Sequence, residues 1–334
     1  MKNHLKHLAV IAYILVMPSF LHGDNQEQAP LILDKQRMLK MSSPRWPWNS
    51  AQNQLKALPL KSMCITIPKS GTHLLSKCLR AILLNYAVPG HTPNPKEEER
   101  AKKCKPISKR YFVALQENLF RDHLVRKCKQ RKILHHKDRL QVSFHLVHTP
   151  EHEQFVKQCV RKTLFLIRDP RDQLVSFVFW ACKNAKLDNV AFNNMLLDFI
   201  DGKQRNNVYS VRMHPFCDAL WTFGIAEYYA WYLPWMNVSN VYTIHFENLV
   251  GENGGGSQEA QIQEIHNIAR HVGVDLSPDT IKEIADNLFG GTNTFNKGQI
   301  GSWKRHFTEE HKRAFKASAG QLLIDLGYEK DMNW

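Results

Sequence analysis

Apolar positions along the chain fall into two alternating kinds of segment. Lys61–Ile67 (KSMCITI), Thr163–Ile167 (TLFLI) and Val241–Phe246 (VYTIHF) are short and rich in β-branched residues, as in strands covered on both faces. After the first, Leu74, Leu75, Cys78, Leu79, Ile82 and Leu83 repeat at helical spacing. After the second, Leu174, Val175, Val178 and Phe179 do the same. Further helices are expected over Gln258–Val272, from the Ser277-Pro278-Asp279 cap to Phe289, and over Glu309–Leu326. Strand–helix alternation without hairpin signals predicts an α/β fold on a parallel sheet. The triplet Gly254-Gly255-Gly256 reads as a flexible loop.

The N-terminus follows another pattern. Lys2 and Lys6 precede the apolar stretch Leu8–Phe20, and polar sequence returns at His22. Residues 1–23 are therefore expected to be a signal peptide or a short membrane anchor. Residues 24–58 are polar and proline-punctuated, a linker or arm, and 59–334 form the main domain. This organisation predicts the secretory pathway, exported or membrane-anchored, or a cytoplasmic protein if the apolar run is a helix of the fold.

Composition narrows the class. With 334 residues and 43% hydrophobic content, the chain is neither disordered nor too small for a sizeable core. After the N-terminus no apolar run is long enough for a membrane span. The net charge of +14 is concentrated in residues 96–139, which hold fifteen Lys and Arg against six Asp and Glu. Such a block is either a solvated helical face or a contact for polyanions. Seven cysteines without a C-x-x-C pair exclude a readable zinc or redox motif. Cys64, Cys78 and Cys159 are expected in the core, and a Cys104–Cys128 bridge stays open.

Three segments carry chemistry. Pro68-Lys69-Ser70-Gly71-Thr72-His73 joins a strand to a helix, where first-turn amides and the helix dipole attract an anion. It has one glycine with the lysine before it, unlike a nucleoside-triphosphate P-loop. Arg168-Asp169-Pro170-Arg171-Asp172, running on to Ser176, lies at a second such junction. In a parallel sheet these junctions gather at the carboxyl ends of the strands. There Arg168 offers a fork for phosphate, unless Arg171 and Asp172 merely form surface salt bridges. Asn296-Lys297-Gly298-Gln299-Ile300-Gly301-Ser302-Trp303-Lys304 is a glycine-hinged basic loop, with Trp303 expected in the core.

Together and in this order, the segments resemble the sulfotransferases that use 3′-phosphoadenosine 5′-phosphosulfate (PAPS). TIPKSGTH is similar to their 5′-phosphosulfate loop, LIRDPRDQLVS to their 3′-phosphate motif and KGQIGSWKRHFT to their Gly-x-x-Gly-x-Trp-Lys segment. YTIHFENL is similar to the strand and acidic turn between the last two. The resemblance spans residues 60–330 and implies a three-layer, P-loop kinase-like sulfotransferase fold around a central parallel sheet. It further implies that Lys69 contacts the bridging oxygen of PAPS, and that Ser70, Gly71, Thr72 and His73 line the phosphosulfate cradle. Arg168 and Ser176 would grip the 3′-phosphate, with Lys297 and Gly298 closing on it. Where the family has Arg, this chain has Asn296.

The resemblance also implies a basic residue before the second motif. His145 and His148 both fit, His145 better because it falls within the expected strand; Glu117 or Glu153 are carboxylate alternatives. The implied reaction is in-line transfer of a sulfuryl group from PAPS to a hydroxyl or amine, releasing adenosine 3′,5′-bisphosphate without a metal. The acceptor is open between a small alcohol or phenol, a lipid and a glycan, and no specific nucleic-acid partner is expected. Phe177, Phe179, Trp180, Tyr228, Tyr229, Trp231, Tyr232 and Trp235 read as core more readily than as pocket. Two other functions remain open: a Mg²⁺-dependent kinase with Asp169 on the metal, and a non-catalytic exported polyanion-binding protein.

Overall fold

The structure, a computed structural model, describes residues 60–84, 141–181, 188–203, 215–291 and 297–334. The N-terminal leader and arm, the basic block with Cys104, Glu117 and Cys128, and Asn296 lie outside the described residues. Strands are β1 (Leu60–Thr66), β2 (Gln141–Phe144), β3 (Val160–Ile167) and β4 (Val241–His245). Helices are α1 (Thr72–Leu84), α2 (Pro150–Cys159), α3 (Pro170–Ala181), α4 (Asn189–Asp201), α5 (Pro215–Ala230), the single turn α6 (Phe246–Leu249), α7 (Gln258–Val272), α8 (Pro278–Leu288) and α9 (Glu309–Asp325).

The strands form one sheet in the order β2-β1-β3-β4, with every pairing parallel. Register aligns the carboxyl ends: Thr66 lies opposite Leu166, and Ile167 opposite His245. From β1 the chain leaves toward β2, and from β3 toward β4. The loops after β1 and β3 therefore start at neighbouring strand ends and diverge, which opens a crevice between them.

Side-chain alternation gives the sheet two buried faces. Met63, Ile65, Phe165 and Ile167 join an apolar cluster with residues of α2, α3, α4, α5 and α9. Cys64, Leu164 and Leu166 join the opposite cluster, with α1, α7 and α8. The result is a helix–sheet–helix sandwich, as the continuous apolar runs require. Each fully buried aliphatic or aromatic side chain adds about 1.5–3 kcal/mol. Cys64 and Cys78 are buried as expected; the Cys159 side chain lies outside the described set. Among the described residues no helix is long and apolar enough to cross a membrane.

Two details add to or depart from the expected pattern. First, the chain after Thr149-Pro150 forms α2. Thr149 Oγ1 accepts the His152 amide at 3.1 Å and Pro150 stands in the first turn, a start signal the sequence reading passed over. Second, the glycine triplet is an ordered turn. The amides of Gly254 and Gly256 both donate to Gly251 O, at 3.0 and 2.9 Å. Gly254 is buried, and a Cβ there would lie 2.8 Å from Gly298 O. In turn Gly254 O accepts the Ile300 amide at 2.9 Å. The triplet is thus a seat for the basic loop that follows α8.

Candidate functional site

The loop after β1 is held in a shape that side chains rarely adopt. Lys69 has φ 71°, a left-handed conformation costing about 1–2 kcal/mol for a residue with a Cβ. The Ser70 amide donates to Ile67 O at 3.1 Å, and Gln173 of α3 donates from Nε2 to Pro68 O at 2.5 Å. Gly71 has φ 113°, and a Cβ there would meet the Phe246 ring at 2.7 Å, so glycine alone fits. α1 begins at Thr72 with no acidic residue in its first turn, so its own side chains leave the positive end of the dipole in place.

The loop after β3 is buried, which overturns the reading of Arg171 and Asp172 as surface charges. Arg171 places Nε and Nη2 on Asp169 at 3.0 and 2.8 Å, and its guanidinium lies against the rings of Trp303 (4.0 Å) and Trp334 (4.6 Å). Because Arg171 takes both Asp169 oxygens, Asp169 is committed to this fork and the Mg²⁺-kinase reading loses its ligand. Asp172 accepts the amides of Gly301 (2.7 Å) and Trp303 (2.8 Å), tying the basic loop to α3. Arg168 stacks on Phe246 at 4.2 Å and donates from Nη2 to Gln299 O at 2.8 Å; its Nε is buried with no protein partner. A buried guanidinium nitrogen left over in this way suits an anionic ligand.

β2 ends at Phe144, so His145 follows the strand instead of lying within it. Its Nδ1 is 2.9 Å from Thr66 O, a pure acceptor, and 3.0 Å from Thr66 Oγ1. The neutral ring therefore carries its proton on Nδ1 and its lone pair on Nε2. Burial lowers its pKa to about 4 despite the Thr66 carbonyl, and nearby His73 and Lys69 push the same way. His148 instead bonds Glu153 Oε2 at 2.7 Å and meets Trp235 edge-on, outside the cavity wall.

These parts meet at a cavity of about 420 Å³. Its wall carries Lys69, Gly71, Thr72 and His73 from the first loop, and Arg168 and Ser176 from the second. His145, Lys297 and Gly298 complete the expected set. Ser70 departs from expectation: it is fully buried and its side chain does not reach the wall. Phe179 and Trp180 are a second departure, since both line the cavity. Phe179 is 36% exposed, and the Trp180 ring lies 5.8 Å from Lys69 Nζ. Phe177 is buried yet touches the wall, whereas Tyr228, Tyr229, Trp231, Tyr232 and Trp235 are core, as expected. Trp303 is also core. Thr66, Asp172, Gln173 and Phe246 escaped the sequence reading, because their roles depend on partners far along the chain.

A three-layer parallel sheet with two cationic loops at its switch point, and a third loop pinned to them, is the architecture of a P-loop-like nucleotide-dependent transferase. The sulfotransferase domain model matches residues 59–327, and the chain belongs to that family. Its reaction is sulfuryl transfer from PAPS. Among solved structures, it is similar to mouse sulfotransferase SULT7A1 complexed with PAP, at 16% identity and TM-score 0.48, covering 86% of this chain and 93% of that one. It is also similar to retinol dehydratase in complex with androsterone and inactive cofactor PAP, at 17% identity and TM-score 0.48, covering 84% and 86%. No curated protein matches the sequence.

Proposed function

We propose that the donor PAPS lies across the crevice, its 5′-phosphosulfate at Lys69 and the start of α1 and its 3′-phosphate at Arg168, Ser176, Lys297 and Gly298. The acceptor is a hydroxyl compound with an apolar, aromatic-sized body, seated toward Trp180 and Phe179. One observation carries the reading: Lys69 and Arg168, from two neighbouring strand ends, share a single cavity wall with His145. The residues present suit the donor, since a buried Arg168 Nε without a protein partner and a helix start with no acidic residue in its first turn both favour anions.

The acceptor oxygen attacks sulfur in line, the bond from sulfur to the bridging oxygen breaks, and adenosine 3′,5′-bisphosphate leaves. Lys69 and the α1 amides stabilise the charge that grows on the departing phosphate. His145 Nε2 takes the acceptor's proton. A ring held near pKa 4 is neutral at physiological pH but a weak base. Lys69 and His73 contribute to that depression, so a bound anion between them raises the basicity once the donor is in place. With the charged start and apolar run of residues 1–23, the same proposal places the enzyme in the secretory pathway.

Transfer of labelled sulfate from PAPS to phenols, hydrophobic alcohols and a glycan tests this. His145→Gln is expected to lower kcat by roughly a hundredfold or more, with unchanged affinity for adenosine 3′,5′-bisphosphate. Full turnover in that variant removes His145 from the reaction, and turnover confined to the glycan overturns the acceptor class.

A further inference from the structure

Residues 327–334 (GYEKDMNW) turn back from α9 and engage the second cationic loop, although no step of the reaction above uses them. The Tyr328 and Glu329 amides are anchored on Leu323 O at 2.8 and 3.2 Å. Tyr328 Oη donates to Glu247 Oε2 at 3.1 Å, and Glu247 Oε1 accepts the Asp169 amide at 2.9 Å. Glu329 accepts from Arg171 Nη1 at 2.5 Å, on the far side of the guanidinium that grips Asp169. The Trp334 and Trp303 rings both pack against the Arg171 guanidinium, at 4.6 and 4.0 Å, and the two indoles meet edge-on at 5.6 Å.

These contacts converge on one place. Asp169 is held through its amide by way of Glu247 and through its carboxylate by way of Arg171, and it is the neighbour of Arg168. Trp303 belongs to the segment whose Gln299 carbonyl receives Arg168 Nη2. The 5′ side of the cavity, in contrast, is built by the loop after β1 and by α1.

We propose that residues 328–334 are a positioning brace for the 3′-phosphate end of the donor site. The segment sets Arg168 and the basic loop through Asp169, Arg171 and Trp303, and touches no substrate itself. This rests on the reading of Arg168 as a 3′-phosphate ligand. General destabilisation weakens every nucleotide alike. A displaced brace weakens only the affinity that the 3′-phosphate adds.

The discriminating quantity is the ratio of the Kd values of adenosine 5′-monophosphate and adenosine 3′,5′-bisphosphate, measured by calorimetry. Tyr328→Phe combined with Glu329→Met keeps both side chains close to their size and removes both polar contacts. The ratio is expected to fall about tenfold, the scale of one lost hydrogen bond to a charged group, while the monophosphate Kd stays within about twofold. If the double variant fails to fold, Tyr328→Phe alone carries the test, with a smaller loss in the ratio expected. Arg168→Lys runs in parallel. Loss of the increment there with an unchanged ratio in the tail variant overturns the brace and leaves the donor reading standing. A full increment in Arg168→Lys overturns the donor reading itself. Equal weakening of both nucleotides in the tail variant also overturns the brace.

Discussion

Asp172→Ala is the sharpest test of how the basic loop is held over the donor site. The Asp172 side chain is fully buried and accepts two amides, from Gly301 at 2.7 Å and Trp303 at 2.8 Å. Its Oδ2 also lies 3.9 Å from Arg168 Nη2. Burial lifts its carboxyl above the usual range even though Arg168 and both amides pull it down. The charge by itself is therefore not a source of stability, and the residue's contribution is the loop it anchors. Alanine leaves Arg168 without its nearest carboxylate and strands two amides. Removing one partner of a buried pair costs about 3–5 kcal/mol. For a domain of this size each kcal/mol lowers Tm by about 2–4 °C, so the expected drop is about 10 °C. With Arg168 and the loop both released, affinity for adenosine 3′,5′-bisphosphate should fall at least about tenfold. Asp172→Asn keeps one acceptor oxygen and should lose about half as much stability. Thermal melts followed by circular dichroism, with calorimetric titration, read both effects. A Tm within about 2 °C of wild type together with unchanged affinity would refute the reasoning.

Gly254→Ala drives a methyl into Val250 and toward Gly298 O, so it should displace the basic loop and weaken adenosine 3′,5′-bisphosphate several-fold; calorimetry giving wild-type affinity would show that the glycine turn does not seat that loop. Acid should destabilise the fold between about pH 6.5 and 4, because burial holds His145 and His152 at about 4 while the unfolded chain binds their protons from about 6.5 downward. Glu247 opposes this: burial holds its carboxyl up at about 7, so its contribution is present at low pH and lost as pH rises through 7. The clean measurement is a difference: His152→Gln should flatten the loss in urea midpoint between pH 7 and pH 5, and an unaltered slope would exclude buried His152 as a cause.

Much of the cavity wall was legible because its parts are local. In PKSGTH and RDPRD, strand, loop and helix start lie within a few residues, so the backbone geometry that gathers an anion is written in consecutive positions. Trp303 and the aromatic run after Tyr228 were legible as core for the same kind of reason, apolar bulk at helical or loop-end spacing. Phe179 and Trp180 were misread because periodicity marks a side of a helix without saying whether that side meets a neighbour or a cavity. Ser70 was misread because a polar residue in a binding loop looks like a ligand until its burial is known.

The alternation of strands and helices, the two strand-to-helix junctions and the membership of a sulfotransferase family were determined by the sequence alone, since each depends on short-range pattern. Which histidine joins them was decided in three dimensions, by a Thr66–His145 contact 79 residues long. So were the pinning of the basic loop by Asp172 across 131 residues and the hold of Glu329 on Arg171 across 158. Such pairs come together only when the parallel sheet brings its carboxyl ends side by side, and no local spacing encodes the distance between them.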